Sequence, residues 1–142
     1  LIIISDYNKG FLLKDDIQFI CDNHDQVFID TKKTLGDFCK NCSYIKINHE
    51  ECRNSMEYIN KNPWTKDKII RTLAGDGCEI GDRHFGVEKV EIKDSCGAGD
   101  TFLAALCFKY LECSKIYDSI VFANECATQV VQQRGVNVIK KR

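Results

Sequence analysis

Four short apolar runs constrain the fold more than anything else in this chain: Leu1–Ser5 (LIIIS), Gln26–Asp30 (QVFID), Tyr44–Ile47 (YIKI) and Lys68–Leu73 (KIIRTL). Each is too short for a buried helix and nearly continuous in branched apolar side chains, which is how strands buried on both faces of a parallel sheet look. Helical spacing fills gaps between them. Leu13, Ile17 and Ile20 repeat through Leu13–Asn23, and a second helical stretch covers His49–Ile59 before Asn62-Pro63 stops it. Strands that alternate with helices build βαβ units, so the expected class is α/β with a mostly parallel sheet flanked by helices. Further along, Cys78–Ile80 and Val87–Ile92 have the alternation of strands with one exposed face. Helices are expected over Ala98–Leu111 and Lys115–Gln133, the second broken by Arg134-Gly135, with a closing strand at Val136–Ile139. No repeat or linker divides the 142 residues, so 1–142 is expected to form one α/β unit.

The start of the chain carries its own expectation. Leu1–Ile4 reads as a fully buried strand, and a chain that opens inside its own core without a methionine is expected to be the later part of a longer sequence. The strand nearest the missing segment should then present an unpaired apolar edge, which favours a homo-oligomer.

Charge and cysteine usage narrow the function classes. A net charge of −1 supplies no global basic field for nucleic acid or a membrane surface. No apolar run approaches the roughly 20 residues that span a bilayer. The nine cysteines are an odd number and no secretion signal precedes them, so free thiols in a reducing cytoplasm are expected. Cys39 and Cys42, followed by His49 and Cys52, leave a zinc module as an alternative use of four of these residues.

The chemistry centres on Asp94–Phe102, DSCGAGDTF, at the entry to a helix. The first amides of a helix have no internal partner and carry the positive end of its dipole, so small residues there admit an anion close to the backbone. Asp100 would lie in that first turn. A carboxylate beside an anion hole makes sense if it takes a proton from a hydroxyl while the amides hold the phosphoryl group under attack. The plainer alternative is a glycine-rich turn capped by Asp100. Similar pairs of readings exist elsewhere. Asn48 with Glu51 is either a divalent-cation site or a capping box. Thr72–Gly77 is either a phosphate loop or a hairpin turn, and Asn124 is either a base contact or a locally bonded helix side chain.

DSCGAGDTF resembles the second signature of the ribokinase-like (PfkB-type) sugar kinases, D-[ST]-x-G-A-G-D-x-F. Three more segments recur in that family's order: Asn48-His49-Glu50-Glu51 resembles N-x-x-E, Thr72–Gly77 (TLAGDG) resembles T-x-G-x-x-G, and Asn124 with Ala127 and Gly135 resembles the late adenine-side helix. SDYNKG and VFIDTKK are most similar to the branch that phosphorylates heptose phosphates. The resemblance implies a ribokinase-like fold whose earlier half, with much of the sugar pocket and a β lid, lies outside this chain. Residues 1–142 would then be its C-terminal nucleotide-binding and catalytic part.

The implied activity is ATP-dependent phosphoryl transfer to a hydroxyl of a sugar or sugar phosphate. A truncated nucleotide- or anion-binding fragment without turnover is the competing expectation. By resemblance Asp100 is the general base, and the amides of Gly97, Ala98 and Gly99 form the anion hole. Asn48 and Glu51 organise Mg²⁺ through water, and a monovalent cation is left open. Thr72, Gly75 and Gly77 line the nucleotide phosphates and ribose, Asn124 contacts adenine and Lys32 faces phosphate, with Asp30 beside it. Asp6 and Lys9 fall towards the sugar end. Ala74 departs from the pattern by replacing the loop's first glycine; it fits at negative φ, or Gly75 takes over the turn.

Overall fold

The computed structural model describes residues 1–135 and 139. The expected strand Val136–Ile139 therefore lies, but for Ile139, outside the described residues. The chain divides into two compact units, Leu1–Ala74 with Cys78–His84, and Gly75–Gly77 with the chain from Phe85 onward.

The first unit is an α/β sheet. Strands β1 (Ile2–Asp6), β2 (Val27–Thr31), β3 (Tyr44–Ile47) and β4 (Ile69–Thr72) are parallel neighbours in chain order. β5 (Cys78–Ile80) returns antiparallel to β4, with Thr72 opposite Cys78, and β6 (Arg83–Phe85) ends the sheet. β2 is paired on both sides and buried at every position, its polar Asp30 and Thr31 included. Ile29 stands opposite Ile4 on one side and Ile45 on the other. Helix α1 (Lys14–Asn23) places Ile17 and Cys21 on the same core as Val27, Ile29, Ile45 and Ile47.

Three local expectations are corrected. β1 forms, yet it is not fully buried: Ile3 is 47% exposed, because alternate side chains face opposite sides of the sheet and Ile3 and Ser5 share the exposed one. The helix expected over His49–Ile59 is two helices, α2 (His49–Asn54) and α3 (Met56–Lys61), which meet at Ser55. Ser55 is buried, and its hydroxyl accepts the Leu35 amide at 3.0 Å. That bond ties the Ser55 side chain to a neighbouring loop, the local competition through which serine disturbs helices. Val87–Ile92 forms no strand. The chain beyond it is held by α5 instead, since the Lys93 and Asp94 amides donate to the Val131 carbonyl at 2.8 and 3.2 Å.

The second unit is built on α4 (Ala98–Cys113) packed against α5 (Ile116–Val131). Phe102, Leu103, Leu106 and Cys107 of α4 and Ile120, Ala123, Cys126 and Val130 of α5 are buried, the spacing of a helical face. No helix among the described residues is long and apolar enough to cross a membrane.

Candidate active site

Parallel strands bring their carboxyl ends to one edge of the sheet, the edge at which open α/β sheets bind ligands. In the first unit that edge carries an unusual density of charge. Lys46 sits in the middle of β3 opposite Asp30 of β2, and the two form a 2.7 Å ion pair with side chains that are 5% and 9% exposed. Burial pushes the Asp30 carboxyl above the usual carboxylate range, against the pull of the Lys46 ammonium. One strand over, Asp6 is also buried. Its Oδ2 accepts the Thr31 hydroxyl and the Lys33 ammonium, each at 2.7 Å, and its Oδ1 accepts the Asn8 amide at 2.9 Å. Burial alone would raise this carboxyl, but the Lys33, Thr31 and Asn8 donors together hold it below its ordinary value.

Asn48 and Glu51 lie at the same edge, where β3 runs into α2. Asn48 is the N-cap of α2: its Oδ1 accepts the Glu51 amide at 2.9 Å, and Glu51 Oε2 accepts the Asn48 amide at 2.8 Å. The capping box is thus formed, satisfying amides that the helix start leaves open. Glu51 is buried, and its Oε1 accepts Asn48 Nδ2 at 3.0 Å and pairs with the Lys32 ammonium. The hydrogen bond to Glu51 raises the Lys32 pKa above the ordinary lysine value. Lys32, Asn48 and Glu51 are brought together, with Asp30 close enough to be felt by Lys32. Thr72 ends β4, and its hydroxyl donates to the Ile47 carbonyl at 3.4 Å. Thr31, Lys33 and Lys46 were not singled out from the sequence. A lysine inside the apolar run YIKI is the signal that would have found Lys46, because a charge in a buried strand needs a partner.

Cys39 and Cys42 point away from zinc chemistry. Both are buried in the core, burial raises both thiols, and Cys21 beside them is pushed up to about 11. Among the described residues no three His, Cys, Asp or Glu side chains are grouped to hold a metal ion. The nine cysteines are free thiols, with Cys96 the exposed one.

The second unit holds the cassette and Gly75–Gly77 of the glycine loop, whose Thr72–Ala74 belong to the first. Ala74 adopts φ +51°, whereas no positive φ falls on Gly75, so alanine itself takes the left-handed turn. Neither way of relieving the departure from the glycine pattern is used. Left-handed backbone costs a residue with a Cβ roughly 1–2 kcal/mol, and that strain is held in the loop. Gly77 is also left-handed, at φ +89°, and packs directly on the chain at Phe85 and Gly86. Lys89 donates to the Gly75 carbonyl at 2.9 Å and pairs with Asp76. Asn124 is buried on α5, and its Nδ2 donates to the Phe85 carbonyl at 3.0 Å.

In the cassette, Asp94 accepts the Cys96 amide through Oδ1 at 2.9 Å and the Gly135 amide through Oδ2 at 3.1 Å. These two amides hold its carboxyl below the usual range. Gly97 is the N-cap of α4, left-handed at φ +75°, and it brings no side-chain cap to the helix start. A Cβ built on Gly97 would meet nothing within 4 Å, so the space beside it is open. The Ala98 amide donates to Ser95 at 3.2 Å and the Thr101 amide to Gly97 at 2.8 Å. Asp100 stands exposed in the first turn of α4. An uncapped helix start, an open approach and an exposed carboxylate are the parts that an anion hole with a built-in base needs.

Residues 12–141 match a family described as pfkB family carbohydrate kinase. Among curated proteins, the bifunctional protein HldE of a Nitratiruptor species is 31% identical, the match covering 95% of this chain and 33% of that protein. HldE of Campylobacter curvus is 30% identical with the same coverage. The chain therefore spans about a third of the length of the curated relatives it matches. Among solved structures, ribokinase from Thermotoga maritima superposes with a TM-score of 0.74 at 16% identity, over 94% of this chain and 51% of that one. Aminoimidazole riboside kinase from Salmonella enterica, solved with aminoimidazole riboside and an ATP analogue, gives 0.67 at 20% identity, over 86% and 51%.

Proposed function

The chain belongs to the pfkB family of carbohydrate kinases, and on that premise we propose that it carries the nucleotide-binding and catalytic part of a kinase acting on a hydroxyl of a sugar or sugar phosphate. The observation that carries this reading is the start of α4, where a left-handed glycine N-cap opens onto free space and Asp100 follows in the first turn. When bound, ATP supplies the phosphoryl group and Mg²⁺ draws negative charge from its oxygens. Asp100 takes the proton from the acceptor hydroxyl. The amides of Gly97 and Gly99 hold the charge on the transferring group, and the Ala98 amide exchanges its bond to Ser95 for the same anion. The family resemblance assigns Thr72, Gly75 and Gly77 to the nucleotide, and Lys32 to phosphate.

Asn48 and Glu51 are the residues that would hold Mg²⁺. Both Glu51 oxygens already accept bonds from Asn48 and Lys32, so the fit is through metal-bound water rather than direct ligation. A monovalent cation is compatible with this scheme and plays no part in it. Heptose phosphate is the first acceptor to test, given the HldE relatives, and a reducing cytoplasm suits the free thiols. The span of one half of its structural neighbours favours a second reading, an ATP-binding fragment without turnover. Calorimetry with ATP, beside sugar-dependent ADP release, separates the two. Binding with sugar-stimulated release is expected; binding without it selects the fragment, and no binding removes both.

The edge of β1 belongs to the same proposal. Ile3 is exposed on a strand that ends the described sheet, and Leu1 is exposed just before it, so a second copy is expected to cover them and yield a homo-oligomer. Light scattering at high protein concentration should report more than one chain; a mass equal to one chain throughout contradicts the expectation.

A further inference from the structure

We infer that Asn124 acts on the nucleotide loop as a positioning residue, through the backbone of Phe85, and not by reading the base; the inference rests on the kinase reading above. One N–H of its side-chain amide is engaged: Nδ2 donates to the Phe85 carbonyl at 3.0 Å, and the residue is 6% exposed. Tyr117 stands seven positions earlier on α5, two helical turns away and on the same face. Its ring stacks on Phe85, with centroids 5.8 Å apart and planes 24° apart. α5 therefore grips Phe85 twice, by ring and by carbonyl. The same carbonyl is the floor of the glycine loop, because a Cβ on Gly77 would fall 2.0 Å from it. Lys89, four residues past Phe85, holds the other end of the loop through the Gly75 carbonyl. The loop has a shape only while segment 85–89 keeps its place, and α5 keeps it there. A loop whose amides must meet phosphates to within a fraction of an ångström loses affinity when its support shifts.

Base reading and loop positioning make opposite predictions for ligands that share phosphates but not adenine. The test compares ATP, GTP and inorganic tripolyphosphate binding to wild type, Asn124→Ala and the near-isosteric Asn124→Asp, which lacks the donor. Positioning predicts that each variant weakens all three ligands by the same factor, about tenfold, the upper end for a lost hydrogen bond between neutral groups. A base contact predicts a loss for ATP and none for tripolyphosphate, which would overturn the inference. A second readout needs no ligand. Hydrogen exchange of the amides at 75–77 and 85–86 should speed up at least tenfold in either variant, while those of β1–β3 hold. Unchanged exchange at 75–77 overturns the inference even if tripolyphosphate binding falls. If wild type binds none of the three ligands, the kinase reading fails, and the exchange experiment still decides whether Asn124 sets the loop.

Discussion

Asp100→Asn is expected to lower sugar-dependent ADP release by about a hundredfold to ten-thousandfold, the usual contribution of a positioned general base, while ATP affinity stays within about twofold. The asymmetry follows from what the substitution changes. Asparagine keeps the size of the side chain and its place in the first turn of α4, but it cannot accept a proton. Asp100 lies in the first turn of α4, beside the amides proposed to hold the transferring group. Nothing in the proposed nucleotide contacts at Thr72, Gly75 and Gly77 passes through this carboxylate. The turnover rate should therefore collapse with little change in the ATP concentration needed for half-saturation. A wild-type rate in Asp100→Asn would remove the base assignment. Loss of ATP binding in step with the rate would move Asp100 into the nucleotide site.

The strands and the cassette were legible in the sequence because each rests on a local rule. YIKI is a strand over Tyr44–Ile47 because two polar boundaries enclose a run too short to be a helix. The Gly97 turn was legible because GAGD before an apolar helix leaves one residue free to be left-handed without a Cβ penalty. What escaped depends on partners distant in sequence. Ser55 interrupts a helical pattern because a loop amide twenty residues earlier needs its hydroxyl. Val87–Ile92 alternates like a strand, yet the chain beyond it is tied to the end of α5. Lys33 and Thr31 carry no distinguishing signal in the sequence, and only the fold shows that they share Asp6. Ala74 is the reverse case. The sequence marked it as a departure from a glycine pattern, and the structure shows the strain that departure carries.

Gly77→Ala should destabilise the protein far more than Gly97→Ala, although both glycines are left-handed, at φ +89° and +75°. The shared cost is the left-handed backbone, roughly 1–2 kcal/mol for a residue with a Cβ, less about 0.4–1 kcal/mol recovered from a stiffer unfolded chain. At Gly97 that is the whole effect, because a Cβ there meets nothing within 4 Å. At Gly77 the new carbon would sit 2.0 Å from the Phe85 carbonyl oxygen, 3.0 Å from its carbon and 3.1 Å from Gly86 Cα. These are backbone atoms, so no side-chain rotation relieves the overlap. Either the loop or segment 85–86 must move by more than an ångström, and Asn124 then loses its acceptor. Forced repacking costs about 1–3 kcal/mol, and a buried group left without its partner costs about 1–3 kcal/mol more. The total approaches the 5–15 kcal/mol or so that holds a typical domain folded. Thermal denaturation is expected to show a midpoint lowered by about 10 °C or more for Gly77→Ala and by only a few degrees for Gly97→Ala. Equal shifts in the two variants would mean that segment 85–86 yields at little cost, and the rigid support assigned to the nucleotide loop would fall with it. If the order holds, Gly97→Ala becomes the useful variant for chemistry: folded, with a methyl group placed in the open space where the phosphoryl group is proposed to sit.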